Sequence, residues 1–157
     1  MEIALTILGG LLGIIGAFAG AWIANRYEKR EKIIQNRKDT TIALYNEYQT
    51  SDMLRARIET QYIFAQNSKA ENPLPLSELR EALDIEKWLN VAMVMTFFEK
   101  LGILLENDYL DLDLSKRLLQ TDFQYWHEKY FSNLIISGKQ SQAQWWKAIQ
   151  YVTKKWL

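Results

Sequence analysis

The sequence predicts an all-α protein, with one N-terminal transmembrane helix continuing into a cytosolic helical bundle of about four further helices. Three features predict it. Residues 3–24 are apolar throughout, with Thr6 as the one polar side chain. The only two prolines, Pro73 and Pro75, both fall in the stretch 68–76. No alternating polar and apolar run is long enough to propose a strand. The domains expected are a transmembrane helix over 1–24, a juxtamembrane helical stalk over 25–50 and a cytosolic bundle over 51–157.

The opening segment is long enough to span a bilayer. At about 1.5 Å per residue, residues 3–24 make a helix of about 33 Å. It is also two-faced. Gly9, Gly13, Gly16 and Gly20 are spaced 4, 3 and 4, so at about 100° per residue they share an arc of about 60°. Leu11, Ile14, Phe18 and Trp22 lie opposite. A helix that only anchors a protein needs apolar bulk all round. A glycine groove lets another backbone approach, which is how membrane helices associate where no hydrophobic force drives them. A cleaved secretory signal is the competing reading, and Ala19 and Ala21 have the small-x-small spacing of a cleavage site. The segment lacks a basic start and its apolar run is too long. Arg26, Lys29, Arg30, Lys32, Arg37 and Lys38 crowd its C-terminal side, while its N-terminal side has no base. The positive-inside rule therefore puts the N-terminus outside and residues 25–157 in the cytoplasm. Trp22, Arg26, Tyr27, Lys29 and Arg30 form the expected membrane interface.

No glycine or proline interrupts residues 25–48, so the membrane helix is expected to run on as a stalk. Thr50, Ser51 and Asp52 read as a cap, followed by a helix to about Asn67 with Met53, Leu54, Ile58, Tyr62 and Phe64 as its apolar positions. After the proline loop, Ser77 and Glu81 start a helix expected to run to about Leu105. Its stretch Trp88–Leu105 resembles a second span, but Asn90, Glu99 and Lys100 interrupt it. A mid-bilayer charge costs roughly 2.5–3.5 kcal/mol, so a buried core helix is the better reading. Asn90 would then need an internal hydrogen-bond partner. Asp111 or Asp113 caps the next helix, expected to about Ile136. The last spans Ser141 to about Trp156, with Trp145, Ile149, Val152 and Trp156 on one stripe. Tryptophan with lysine suits a membrane surface and equally suits docking on the bundle; docking is expected, because the bundle is small.

Composition narrows the chemistry. No cysteine is present, which excludes disulfides, thiolate metal sites and cysteine nucleophiles, and fits a reducing cytoplasm. The net charge is zero but blocky. Residues 25–57 hold eight bases and five acids, 78–113 hold three and nine, and 114–157 hold seven and two. These blocks pair within the fold or between subunits. Arg55 and Arg57 are expected to pair with the acidic block. His127 is the one histidine and has aromatic rather than acidic neighbours, so a packing role is expected. Helical-bundle ribonucleases of bacterial immunity place an arginine four to six residues' separation before a histidine. Here those positions are Asp122, Thr121 and Gln120, and Arg117 is too distant. Asp108, Asp111 and Asp113 lack the spacing of a calcium loop and read as caps. No phosphate-cradling glycine loop occurs. The sequence thus proposes no enzyme, no catalytic residue, no metal and no cofactor, and direct nucleic-acid binding is not expected.

The run Phe97-Phe98-Glu99-Lys100-Leu101-Gly102-Ile103-Leu104, the acidic link, Leu112-Asp113-Leu114 and then Tyr125-Trp126 carry a resemblance. The chain resembles a family of small bacterial single-pass proteins with a helical cytosolic domain, among them the membrane accessory protein of type VI-B CRISPR systems. The resemblance covers nearly the whole chain in architecture. It implies a ring-shaped homo-oligomer that forms an inner-membrane pore in antiphage defence, with a CRISPR effector protein as a further partner. The glycine face Gly9, Gly13, Gly16 and Gly20 would be its oligomer and pore helix. Against a pore, the segment offers almost no polar side chain to line water. Residues alone favour the alternative, a membrane-tethered, non-enzymatic and dimeric interaction module; the resemblance favours the pore.

Overall fold

The computed structural model describes the backbone of residues 2–132 and 143–157, and the side chains of residues 20–132 and 145–157. The described residues are all-helical: six α-helices, one π-turn and no strand. They are α1 (Glu2–Tyr48), α2 (Ser51–Lys69), α3 (Leu76–Ala82), α4 (Ile85–Glu106), α5 (Leu112–Trp126), the π-turn His127–Phe131, and α6 (Ala143–Trp156). Contacts divide the chain into two compact units, Met1–Asn36 and Arg37–Leu157. The division falls inside α1. The stretch expected as a juxtamembrane helical stalk over 25–50 spans that division, its last turns belonging to the second unit.

In the first unit α1 is a helix whose described side chains, from Gly20 to Asn36, are all exposed. Glu28 and Lys32 form an i,i+4 ion pair at 2.7 Å. Such exposed pairs add a few tenths of a kcal/mol.

The second unit is built around α4. Its Val91, Val94, Met95, Phe97, Phe98 and Leu101 are buried, and it packs against both α2 and α6. Among the described residues it is the helix long and apolar enough to cross a membrane, yet 44% of that stretch is buried inside this unit. That burial is why its sequence reads as nearly continuous apolarity. Phe98 sits at the centre of an aromatic cluster, with ring centroids 5.2 Å from Phe131, 5.9 Å from Phe123, 5.9 Å from Trp126 and 6.1 Å from Tyr48. Asn90 finds its partner on α2, donating from Nδ2 to Glu59 Oε2 at 3.0 Å.

Local chemistry sets the ends. Thr50 caps α2 by accepting from the Met53 N–H at 3.3 Å, satisfying a donor that the first turn leaves free. The proline loop is closed by Asn67, whose side chain donates to the Leu74 carbonyl and accepts from the Leu74 N–H, both at 2.9 Å. The single helix expected from Ser77 to Leu105 is two. Leu83 and Asp84 are extended, and Asp84 caps α4 through Lys87 N–H at 2.9 Å while holding Lys87 Nζ at 2.7 Å. An aspartate can satisfy backbone donors outside a helix, and here that competition ends α3. Asp111 caps α5 through Leu114 N–H at 3.0 Å. The helix expected to about Ile136 leaves α geometry at Trp126, where the π-turn begins; residues 133–142 lie outside the described ones.

Two long-range contacts tie the ends of this unit together. Buried Thr41 donates to its own Arg37 carbonyl at 2.8 Å and accepts from the Asp111 N–H at 3.0 Å. The C-terminal helix docks on the bundle. Ile149, Val152 and Trp156 are buried and Trp145 is half-buried against the core. Gly102 permits the approach, since a Cβ there would lie 2.5 Å from the Ala148 carbonyl oxygen.

Candidate functional site

Two places carry unusual chemistry, one in each unit. In the first unit, Gly20 is the member of the glycine face among residues with described surroundings. A Cβ built on it would meet nothing within 4 Å, so that flank of the helix is open. Gly9, Gly13 and Gly16 lie in the backbone of α1, and what surrounds them falls outside the described residues. The expected membrane-interface residues Trp22, Arg26, Tyr27, Lys29 and Arg30 are all exposed. The Arg26 guanidinium stacks over the Trp22 ring at 4.6 Å. That cation–π pair sets an aromatic ring and a cation one turn apart.

In the second unit, Arg57 lies over the Tyr48 ring at 3.9 Å. Tyr48 Oη, Arg57 Nε and Thr60 Oγ1 are buried without a direct hydrogen-bond partner. Burial holds the Asp122 carboxyl above its ordinary range, and the Arg57 charge pulls it partly back. Burial likewise raises the Tyr48 hydroxyl, with Arg57 again opposing. This is a half-buried cation seated on an aromatic wall with a half-buried carboxylate in its field, charge held at the margin of the core. It contains no nucleophile with an adjoining base. Tyr130, nearby in the π-turn, is pushed up to about 12 by burial and by its hydrogen bond with Tyr125.

The sequence expected both arginines to meet the acidic block 78–113. Arg55 does, reaching Glu86 at 3.3 Å on the surface. Arg57 does not; it turns inward to Tyr48 and Asp122 instead, because its position on α2 follows the buried Ala56 and precedes the buried Thr60. Glu47 and Lys100 join the first and second charge blocks at 2.6 Å. His127 is half-buried and stacked on Phe123, with ring centroids 5.9 Å apart. Asp111 serves as a cap, and Asp108 takes a left-handed turn with φ of 56°. Among the described residues, no group of three or more histidine, aspartate or glutamate side chains stands close enough to hold a metal ion.

One surface escaped the sequence reading. The apolar residues of α2 form two stripes rather than one. Met53, Ala56, Ile63 and Phe64 face the core, while Leu54, Ile58 and Tyr62 are exposed. With Ser51, Arg55 and Glu59 the exposed stripe lines an open groove of about 500 Å³. The signal was present as the i, i+4, i+8 spacing of Leu54, Ile58 and Tyr62.

No curated protein and no solved structure matches the chain. One family profile spans nearly all of it, from within the glycine-rich segment to the end of α6: the chain belongs to the family described as "Domain of unknown function (DUF4760)", which its residues 7–156 match.

Proposed function

We propose that this chain is a non-enzymatic, single-pass protein of the bacterial inner membrane whose copies associate through Gly9, Gly13, Gly16 and Gly20. In this reading the N-terminus lies outside and the second unit in the cytoplasm, as the flanking bases direct. Following the resemblance, the assembly is a ring-shaped pore in antiphage defence. One observation carries the self-association. Every described side chain of α1 from Gly20 to Asn36 is exposed, including Trp22, Ile23, Tyr27, Ile33 and Ile34. A lone helix with that much bare apolar surface requires lipid, another helix, or both. The family match beginning at residue 7 supports counting the apolar segment as part of the shared domain.

The exposed α2 groove favours a second reading, a membrane-tethered module that recruits a partner protein. Native mass in lipid, paired with dye release from liposomes, separates the two. More than two copies with release supports the pore. A dimer without release supports the module. Replacing Gly13 or Gly16 with leucine is expected to disassemble the complex while the second unit stays folded, and an unchanged assembly size would move the interface elsewhere.

A further inference from the structure

The exposed part of α1 carries a pattern of its own. Gly20, Ile23, Tyr27, Arg30 and Ile34 are spaced 3, 4, 3 and 4, the seven-residue repeat of a coiled-coil seam. Ile23, Tyr27 and Ile34 are 49%, 66% and 49% exposed, so among the described residues nothing covers that seam. Glu28 and Lys32, which the repeat places on the outer side, satisfy each other at 2.7 Å. The side facing water is therefore settled internally, and the apolar side is unpartnered.

We infer that residues 20–34 pair with the same segment of a second copy as a parallel, in-register coiled coil. Charge complementarity selects this occupant. The positions flanking a parallel seam meet across the pair, each residue on one side facing the residue five further along in the other copy. Arg26 and Glu31 occupy those two positions, so Arg26 of each copy, its guanidinium seated over its own Trp22 ring, faces Glu31 of the other. An antiparallel partner would lose that match. The parallel sense also follows from the anchor, because every copy enters the bilayer from the same side. Arg30 stands in the seam itself. A polar residue there weakens the pair and fixes its register, so this coil depends on the anchor to raise the local concentration of copies. Traced backward, the same 3–4 alternation runs through Gly16, Gly13 and Gly9. The seam is thus collinear in sequence with the glycine face, and the inference rests on the self-association proposed above while assigning it a register outside the glycines.

The chain contains no cysteine, so single cysteines report their own neighbours. Full-length Tyr27→Cys, Ile34→Cys, Glu28→Cys and Lys32→Cys are each reconstituted in lipid vesicles and oxidised with copper phenanthroline. Disulfide dimers are expected to form at least about tenfold faster at 27 and 34 than at 28 and 32. In the Tyr27→Cys background, Arg26→Glu or Glu31→Arg alone is expected to slow the reaction, and the two together to restore it. Energy transfer between separately labelled copies reads association independently. Transfer with equal cross-linking at all four positions would overturn the coiled coil and leave self-association standing. No transfer and no cross-linking would overturn both.

Discussion

Adding one methyl group at Gly102 decides whether α6 is seated as described. An alanine Cβ there would stand 2.5 Å from the Ala148 carbonyl oxygen, and 2.7 Å from both its carbonyl carbon and its Cβ. Two of these are backbone atoms, so no side chain can swing aside, and α6 or α4 must shift. Overpacking of this kind costs about 1–3 kcal/mol. Glycine to alanine inside a helix contributes about 1 kcal/mol in the other direction. The steric cost exceeds the propensity gain, which leaves a net loss of about 1 kcal/mol. For a domain of this size that is a fall of about 4 °C in Tm. The assay is thermal unfolding of the full chain in lipid nanodiscs by tryptophan emission. Trp126 and Trp156 are both buried, so emission reports the core and the α6 contact together. A rise of a few degrees for Gly102→Ala would mean that helix propensity acts unopposed, and the close α4–α6 approach would be wrong.

Further outcomes follow from single side chains. Ile149→Ala removes a fully buried residue of α6 and is expected to cost about 2–5 kcal/mol, read by the same unfolding assay; a loss under about 0.5 kcal/mol would mean that the helix is undocked. Thr41→Val leaves the Asp111 N–H without its acceptor, an expected loss of about 1–3 kcal/mol by the same unfolding assay; an unchanged Tm would mean that the contact contributes nothing. The half-buried Asp122 carboxyl has its folded pKa raised above the ordinary 3.8, chiefly by desolvation. The folded state then holds its proton more tightly than the unfolded state. This stabilising contribution is present below the unfolded value and is lost as pH climbs through the folded value. The Tm of Asp122→Asn relative to the natural chain is therefore expected to rise as pH climbs above the ordinary carboxyl value of 3.8, and a difference that falls over that climb would contradict the assignment.

Helices whose ends rest on local chemistry were legible in the sequence. Thr50 and Asp111 announce themselves as capping residues ahead of apolar runs, and both cap. The stripe Trp145, Ile149, Val152 and Trp156 foretold a docked final helix, because four apolar residues at helical spacing need a surface to cover them. The break at Asp84 was hidden. No glycine or proline marks it, and it depends on Asp84 reaching Lys87 while Leu76 and Leu79 bury themselves. The π-turn at His127 has no recognised local signature. Contacts between residues far apart were out of reach for the same reason. Thr41 meets Asp111 across 70 positions, and Arg57 leaves the acidic block for Tyr48, choices made by packing rather than by neighbours in the chain. The glycine face was visible as spacing. The α2 groove was missed because two apolar stripes one residue apart read as one amphipathic face.

Counting copies in an intact bilayer tests the central claim most directly. Single-molecule photobleaching of the full chain, labelled at its C-terminus and held in native membrane fragments, is expected to bleach in several steps per spot. The Gly13→Leu and Gly16→Leu variants are expected to collapse toward one step. One-step bleaching throughout, for the natural chain at every density tested, would contradict self-association and with it the reading of the glycine face.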